Sequence, residues 1–249
     1  MSTPTDLAKF NVHEFADRFR RDVIPLSNAF SYFCAAPMGE EDLKDYLEEP
    51  VAALPPAVQT VLPRVSIFLV PYLEKTNGKT GEIVAFDKPA EKAETSAAQF
   101  TSDSEAVLVL AIKDREVAEY HYGFYRAVAT LLADHVPVEV EDSFLGLLRE
   151  ELINRIHGEV DEQGWQLKQS LLRRQSNMRR ETKLFRAYAR QALIDTLTLY
   201  LHGICCDIDV ETGPRQLPSR FLRRRLELLH NYFPPPQGYA VFPEEASRA

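Results

Sequence analysis

The chain has 249 residues with a net charge of −8, and its 45% hydrophobic and 27% charged residues exclude a disordered chain. The longest apolar stretch, Val65 to Leu73, contains Pro71 and falls far short of the roughly 20 residues that span a bilayer, so no membrane partner is expected. Residues 1–19 lack the apolar core of a secretory signal, and the odd count of three cysteines favours a reducing compartment, so we expect a cytoplasmic protein.

The first predicted element is a helix over residues 11–33. Asn11 and Glu14 have the spacing of a capping box, and apolar residues recur behind them at helical intervals. Pro25 is expected to kink this helix, because proline has no N–H to donate. A short acidic helix is predicted over residues 40–48.

A β segment follows over about residues 64–112. Residues 65–70 are rich in β-branched and aromatic side chains, and Asn77-Gly78 separates them from a second such run at 83–86. This pattern predicts a hairpin between the two runs. Residues 107–112 are almost wholly apolar, which is typical of a strand covered on both faces.

The rest of the β segment, residues 88–105, is polar and predicted to be a surface loop. From residue 115 to 233 the pattern is helical, with helices over 115–134, 143–173 capped by Ser143, 181–204 and 219–233. The sequence therefore predicts an α+β fold in one domain, 1–249. Four to six helices pack on a small, mainly antiparallel sheet of about three strands.

The helix over residues 181–204 is apolar almost all round and is therefore expected to be buried. It carries Asp195 and His202, which as polar groups in a core need partners. The two are seven residues apart, about 10.5 Å along the helix axis, so each partner must come from another element.

The preceding predicted helix offers such partners, because Glu150, Asn154, His157 and Asp161 share one stripe of it. Histidine and aspartate on two facing helices can hold a divalent metal or form an acid–base pair. The leading hypothesis is a metal-dependent hydrolase whose site joins the helices of His157 and His202. In the alternative reading this stripe is a solvated helix face, and Asp195 pairs with an arginine.

A second, looser cation site could use Asp207 and Asp209, which lie between two predicted helices. The stretch is not an EF-hand, because Gly213 comes one position late and Pro218 stands where the bidentate glutamate belongs.

Charge is divided unevenly along the chain, with −14 over residues 1–165 and +6 over 166–249. Arginine dominates the basic part, and arginine suits bidentate recognition of phosphate or carboxylate. The candidate anion-binding residues are Arg173, Arg174, Arg179, Arg180, Arg223 and Arg224. The second hypothesis is thus a non-catalytic interaction module that binds an acidic protein or a nucleic acid. Alternatively, the basic and acidic parts of the chain neutralise each other.

Overall fold

The computed structural model describes residues 10–76, 81–102, 105–173, 181–206, 213 and 215–242. The chain forms two compact units: unit 1 is Met1–Ala52 with Leu62–Ala127, and unit 2 is Ala53–Val61 with Val128–Ala249. Unit 1 contains both helices and sheets, which confirms the α+β class. Within the described ranges, no helix is long and apolar enough to cross a membrane.

Unit 1 has more strands than the sequence predicts. Its helices are α1 (Val12–Phe19), α2 (Glu40–Leu43), α3 (Glu49–Ala52) and the first part of α5 (Val117–Ala133). A π-helical turn (Lys44–Glu48) joins α2 to α3. Its strands are β1 (Phe10–Asn11), β2 (Ile24–Pro25), β3 (Phe30–Cys34), β4 (Val65–Val70), β5 (Tyr72–Lys75), β6 (Glu82–Ala85), β7 (Glu94–Thr95), β8 (Ala97–Ser102) and β9 (Glu105–Ala111).

The larger sheet has the strand order β2-β3-β4-β9-β8, and its three central strands run parallel. Every residue of β4 is buried, as are the last six residues of β9. Such continuous apolar runs are typical of parallel strands that are covered on both faces. The prediction of a covered strand at residues 107–112 is therefore confirmed, whereas the expected antiparallel character fails at the centre of the sheet.

The predicted hairpin exists, but its first strand begins later than expected. β4 does not pair with residues 83–86; instead β5, which begins directly after Pro71, pairs antiparallel with β6. Pro71 separates the two strands, so that β4 stays in the large sheet and β5 enters the smaller sheet β1-β6-β5-β7. The predicted surface loop at 88–105 is also wrong, because β7 and β8 lie within it.

The first helix is shorter than the predicted 11–33. It begins at its cap, where the Asn11 side chain accepts from the His13 N–H (2.9 Å), and it ends at Phe19. Pro25 lies in β2, and residues 30–34 form β3, since their aromatic side chains favour a strand. α1 packs its Phe15 against Phe68 of β4, with 6.1 Å between the ring centroids, and so covers one face of the large sheet.

Unit 2 is helical. It contains α4 (Pro56–Val61), the end of α5, α6 (Val138–Ile153), α7 (Glu162–Arg173), α8 (Lys183–Cys205) and α9 (Ser219–Tyr232). α8 is capped by Thr182, whose hydroxyl accepts from the Phe185 N–H (3.1 Å), and most of its circumference is buried. The prediction of a buried helix over 181–204 is confirmed.

The predicted helix 143–173 is in fact two helices, with Ser143 inside α6 and not at its cap. The break lies between residues 154 and 161, where Arg155 (φ 52°) and Gly158 (φ 81°) adopt left-handed backbone conformations. A Cβ on Gly158 would lie 2.0 Å from the carbonyl oxygen of Gln216, so only glycine fits this position.

Candidate functional sites

The four residues of the predicted metal centre do not lie on the facing surfaces of two helices. His157 and Asp161 lie in the connection between α6 and α7, because the helix that was expected to carry them is broken there. Asp195 and His202 are buried on α8, at 2% and 9% exposure, and the Asp195 carboxylate accepts from the Gln191 amide (2.8 Å). No three of these four residues bring ligand atoms within 4.8 Å of one another.

The geometry therefore gives no support to a metal centre at His157, Asp161, Asp195 and His202. The second predicted cation site, Asp207 and Asp209, lies outside the described residues. Both metal sites, and the hydrolase that depended on the first, stay predictions.

Three of the candidate anion-binding arginines, Arg174, Arg179 and Arg180, also lie outside the described residues, and Arg173 is exposed at the end of α7. The remaining two are engaged within unit 2. Arg224 makes a bidentate pair with Glu150 (2.7 and 2.6 Å), and Arg223 pairs with Glu227 (2.8 Å). The described arginines thus favour neutralisation inside the chain, and a polyanion-binding surface stays a prediction.

The most unusual polar feature of unit 2 is a buried ion network around Arg225 on α9. The Arg225 guanidinium donates to Glu151 of α6 (3.1 and 2.5 Å) and to Glu159 in the connection before α7 (2.8 and 2.9 Å). Glu159 also accepts from Lys168 of α7 (3.0 Å) and from the Tyr188 hydroxyl of α8 (2.5 Å). All five side chains are at most 1% exposed.

The network is electrically balanced, since two cations face two carboxylates. Burial alone would raise the pKa of Glu159, but Arg225, Lys168 and Tyr188 outweigh it and lower this pKa to about 2. Burial lowers the pKa of Lys168 although Glu159 opposes the effect, and burial together with Glu159 raises the pKa of Tyr188. Because no member reaches solvent, the network joins the helices of unit 2 and offers no surface to a substrate.

A signal for this network was present in the sequence of α9. Arg225 falls on the same helical stripe as Leu222 and Leu229, and these three are the buried residues of the helix. An arginine on an apolar stripe predicts a buried carboxylate partner, because an isolated charge in a core is too costly. Reading the arginines as one basic run concealed this difference.

Unit 1 contains a cleft of about 370 Å³ at the carboxyl ends of its three parallel strands. Each strand supplies the residues that directly follow it: 35–38 after β3, Pro71 after β4, and 112–113 after β9. Backbone hydrogen bonds continue the ladder beyond the strand ends. They run from Ala35 N to Leu69 O (2.8 Å), from Ile112 N to Val70 O (3.0 Å) and from Lys113 N to Pro71 O (3.1 Å), so the floor of the cleft is preformed.

The lining of the cleft is mainly apolar, with a few polar groups at defined positions. Met38, Phe86 and Ile112 contribute apolar surface, and Asp42, Tyr46 and Lys113 contribute the polar side chains. This composition is typical of small-molecule sites, in which polar groups orient a ligand that apolar walls bury. None of these residues was predicted as a site residue, because the cleft exists only once the strands are placed side by side.

Tyr46 reaches the cleft from the π-helical turn, a local distortion that is frequent at functional sites. Its ring lies edge-on to Tyr120 of α5, with 4.7 Å between centroids, and its hydroxyl donates to the Arg115 carbonyl (3.4 Å). Burial raises the pKa of Tyr120, whose hydroxyl has no hydrogen-bond partner among the residues that the structure describes. Tyr46 is therefore packed against a second tyrosine, Tyr120, which is buried.

No protein family, curated protein or solved structure matches this chain, so its function is inferred from its own geometry.

Proposed function

We propose that the protein binds a small organic molecule in the cleft of unit 1. The carrying observation is the position of the cleft, outside the carboxyl ends of the three adjacent parallel strands β3, β4 and β9. Ligands of open α/β sheets bind at this edge, because the strand ends deliver side chains and backbone groups to one crevice. Here the residues after all three strands line a single cleft.

Size and rigidity support the same proposal. A volume of about 370 Å³ lies within the usual range of ligand pockets, roughly 300–1,000 Å³. The ladder hydrogen bonds that fix residues 35, 112 and 113 mean that little ordering is needed on binding, which favours affinity. A binding role replaces the metal-dependent hydrolase as the leading hypothesis, since the cleft is formed by described residues and the predicted metal ligands do not converge.

The chain offers a direct reporter of this cleft. It has three methionines, Met1, Met38 and Met178, and Met38 lines the cleft. In protein labelled with ¹³C at the methionine methyl groups, a fragment bound in the cleft should shift the Met38 signal and leave the other two in place. Met38→Leu assigns the signal.

A filled cleft provides the test of site. Ala36→Leu places a larger side chain in the lining, whereas Ala118→Leu makes the same change at an exposed position of α5. Fragments should bind the wild type and Ala118→Leu, and binding should be lost in Ala36→Leu. The proposal fails if a diverse fragment library never moves the Met38 signal, or if the filled cleft binds as the wild type does.

We also propose that the protein resides in the cytoplasm, where thiols stay reduced. Cys34, Cys205 and Cys206 are all free. If cells are lysed directly into denaturant and an alkylating agent, with no reductant added, all three thiols should be modified. Recovery of an oxidised pair would contradict this location.

A further inference from the structure

We propose that the cleft of unit 1 selects an organic acid with a single negative charge, whose carboxylate pairs with the ammonium group of Lys113. This inference rests on the proposed function, because it names the class of molecule that the cleft takes.

The cations at the carboxyl edge are not equivalent. Lys88 pairs with Asp114 (3.0 Å), and Arg115 pairs with Glu94 (2.9 Å). Lys113, on the segment that follows β9, lines the cleft and makes no ion pair with any described residue, although the nearby Asp114 carboxylate interacts with it electrostatically. It is thus the cation at this edge whose charge is available to a ligand.

The position of the Lys113 ammonium is partly fixed before any ligand binds. Its backbone N–H donates to the Pro71 carbonyl (3.1 Å), and its Nζ lies 5.6 Å from the centroid of the Tyr72 ring. The Tyr72 hydroxyl in turn donates to Asp114 (2.9 Å), which holds the ring in place. A cation held over an aromatic face loses less side-chain freedom on binding than a free lysine does.

The other polar groups of the cleft are already engaged. The Asp42 carboxylate accepts from the Gly39 N–H (3.0 Å), a bond that caps α2, and the Tyr46 hydroxyl donates to a carbonyl. The Asp42 carboxylate repels any negative charge in the cleft, and Lys113, the one lysine or arginine among the described lining residues, can offset that repulsion for a single acidic group. One cation and one engaged carboxylate, beside the apolar surfaces of Met38 and Phe86, fit a monocarboxylate with an apolar body.

A matched series of probes tests the charge while keeping the body constant: phenylpropionate, phenylpropionamide and phenylpropylamine. Titrations followed on the Met38 methyl signal should show that the acid binds about tenfold more tightly than the amide, because a charge-assisted bond replaces a neutral one. The amine should bind more weakly than the amide. Added salt should weaken binding of the acid alone.

Two lysine variants assign the effect to Lys113. Lys113→Met should bring the acid down to the affinity of the amide without changing the amide itself, and Lys113→Arg should retain the preference. Lys92→Met, which removes an exposed lysine of unit 1 outside the lining of the cleft, should leave the preference intact.

The outcomes separate this inference from the proposed function. Equal binding of acid and amide, tighter binding of the amine, or a series that fails to bind while other fragments shift Met38 would overturn the organic-acid inference and leave the cleft as a binding site. A fragment library that never shifts Met38 would overturn both.

Discussion

Replacing Arg225 with methionine should destabilise unit 2 much more than the same change at any exposed arginine of α9. Methionine keeps much of the length of the side chain and removes the guanidinium that donates to both Glu151 and Glu159. The two carboxylates then remain buried, at 1% exposure each, with Lys168 as their only cation within the network.

The expected loss is about 3–5 kcal/mol in the free energy of unfolding, the usual cost of removing one partner from a buried ion pair. The lowered pKa of Glu159 agrees with this loss in sign, because Arg225 is the strongest of the three partners that hold the buried carboxylate in its charged form.

The loss should depend on pH with a definite sign. In the wild type the pKa of Glu159 is lowered, so its contribution to stability is present above about pH 4.5 and is lost as the pH falls toward 2. Arg225→Met removes the two strongest interactions that lower this pKa, so burial, which raises it, meets less opposition and the pKa should be higher than in the wild type. Protonation of Glu159 in acid then removes an uncompensated buried charge from the folded variant. The difference in free energy of unfolding between the wild type and Arg225→Met should therefore narrow from neutral pH to about pH 3.

Urea unfolding followed by the fluorescence of Trp165, the only tryptophan, measures both effects. Arg224→Met is the matched control, because Arg224 is the neighbouring residue and its pair with Glu150 is about half exposed, so that little change is expected. Arg225→Lys keeps the charge but loses the bidentate geometry of the guanidinium, so its free energy of unfolding should lie between those of the wild type and Arg225→Met. The reasoning is refuted if Arg225→Met loses no more stability than Arg224→Met, or if the difference grows in acid.

Three further predictions concern two buried tyrosines, two glycines and the unfolding of the whole chain. Tyr120→Phe should leave the free energy of unfolding unchanged or raise it, since the Tyr120 hydroxyl has no partner among the described residues. Tyr188→Phe should lower the free energy of unfolding by about 1–3 kcal/mol, because the buried Glu159 carboxylate loses a donor. Equal effects of the two changes in urea unfolding would contradict this. Gly158→Ala should lower the free energy of unfolding by about 3 kcal/mol or more, because its Cβ would collide with the Gln216 backbone. Gly146→Ala, at an open position of α6, should raise the free energy of unfolding by about 0.5–1 kcal/mol. An unchanged stability of Gly158→Ala would be inconsistent with the backbone contact. If the chain unfolds as one cooperative domain, Trp165 fluorescence and far-UV circular dichroism should give one midpoint, and two midpoints would show separate unfolding.

The helices could be predicted where local signals agree. Asn11 caps α1 as predicted, and the apolar circumference of α8 identified it as buried before any contact was known. These signals are carried by neighbouring residues, so the sequence presents them directly. The predicted helix over 219–233 likewise matches α9 to within a residue, since Pro218 fixes its start.

Features that depend on distant residues could not be predicted in the same way. The break before α7 needs Gly158 because Gln216, more than fifty residues later, lies against it. The cleft needs β3, β4 and β9 side by side, and the local pattern of β4 fits a hairpin as well as a parallel strand. Strand partners are set by the whole sheet, so the local patterns of β4 and β9 did not identify the site between the strand ends, and β3 had been read as the end of a helix.

The uneven charge of the sequence acquires a physical meaning in unit 2. Each of four arginines from the basic part of the chain pairs with a carboxylate from the acidic part: Arg190 with Asp134, Arg215 with Glu162, Arg224 with Glu150, and Arg225 with Glu151 and Glu159. The acidic partners precede residue 166 and the arginines follow it. The acidic and basic parts of the sequence therefore supply opposite partners of the same ion pairs in unit 2. Three of these pairs are about half exposed and contribute little, whereas Arg225 and its two carboxylates are buried and join α9 to α6. A basic run in a sequence therefore predicts a polyanion partner only after such internal carboxylates have been assigned.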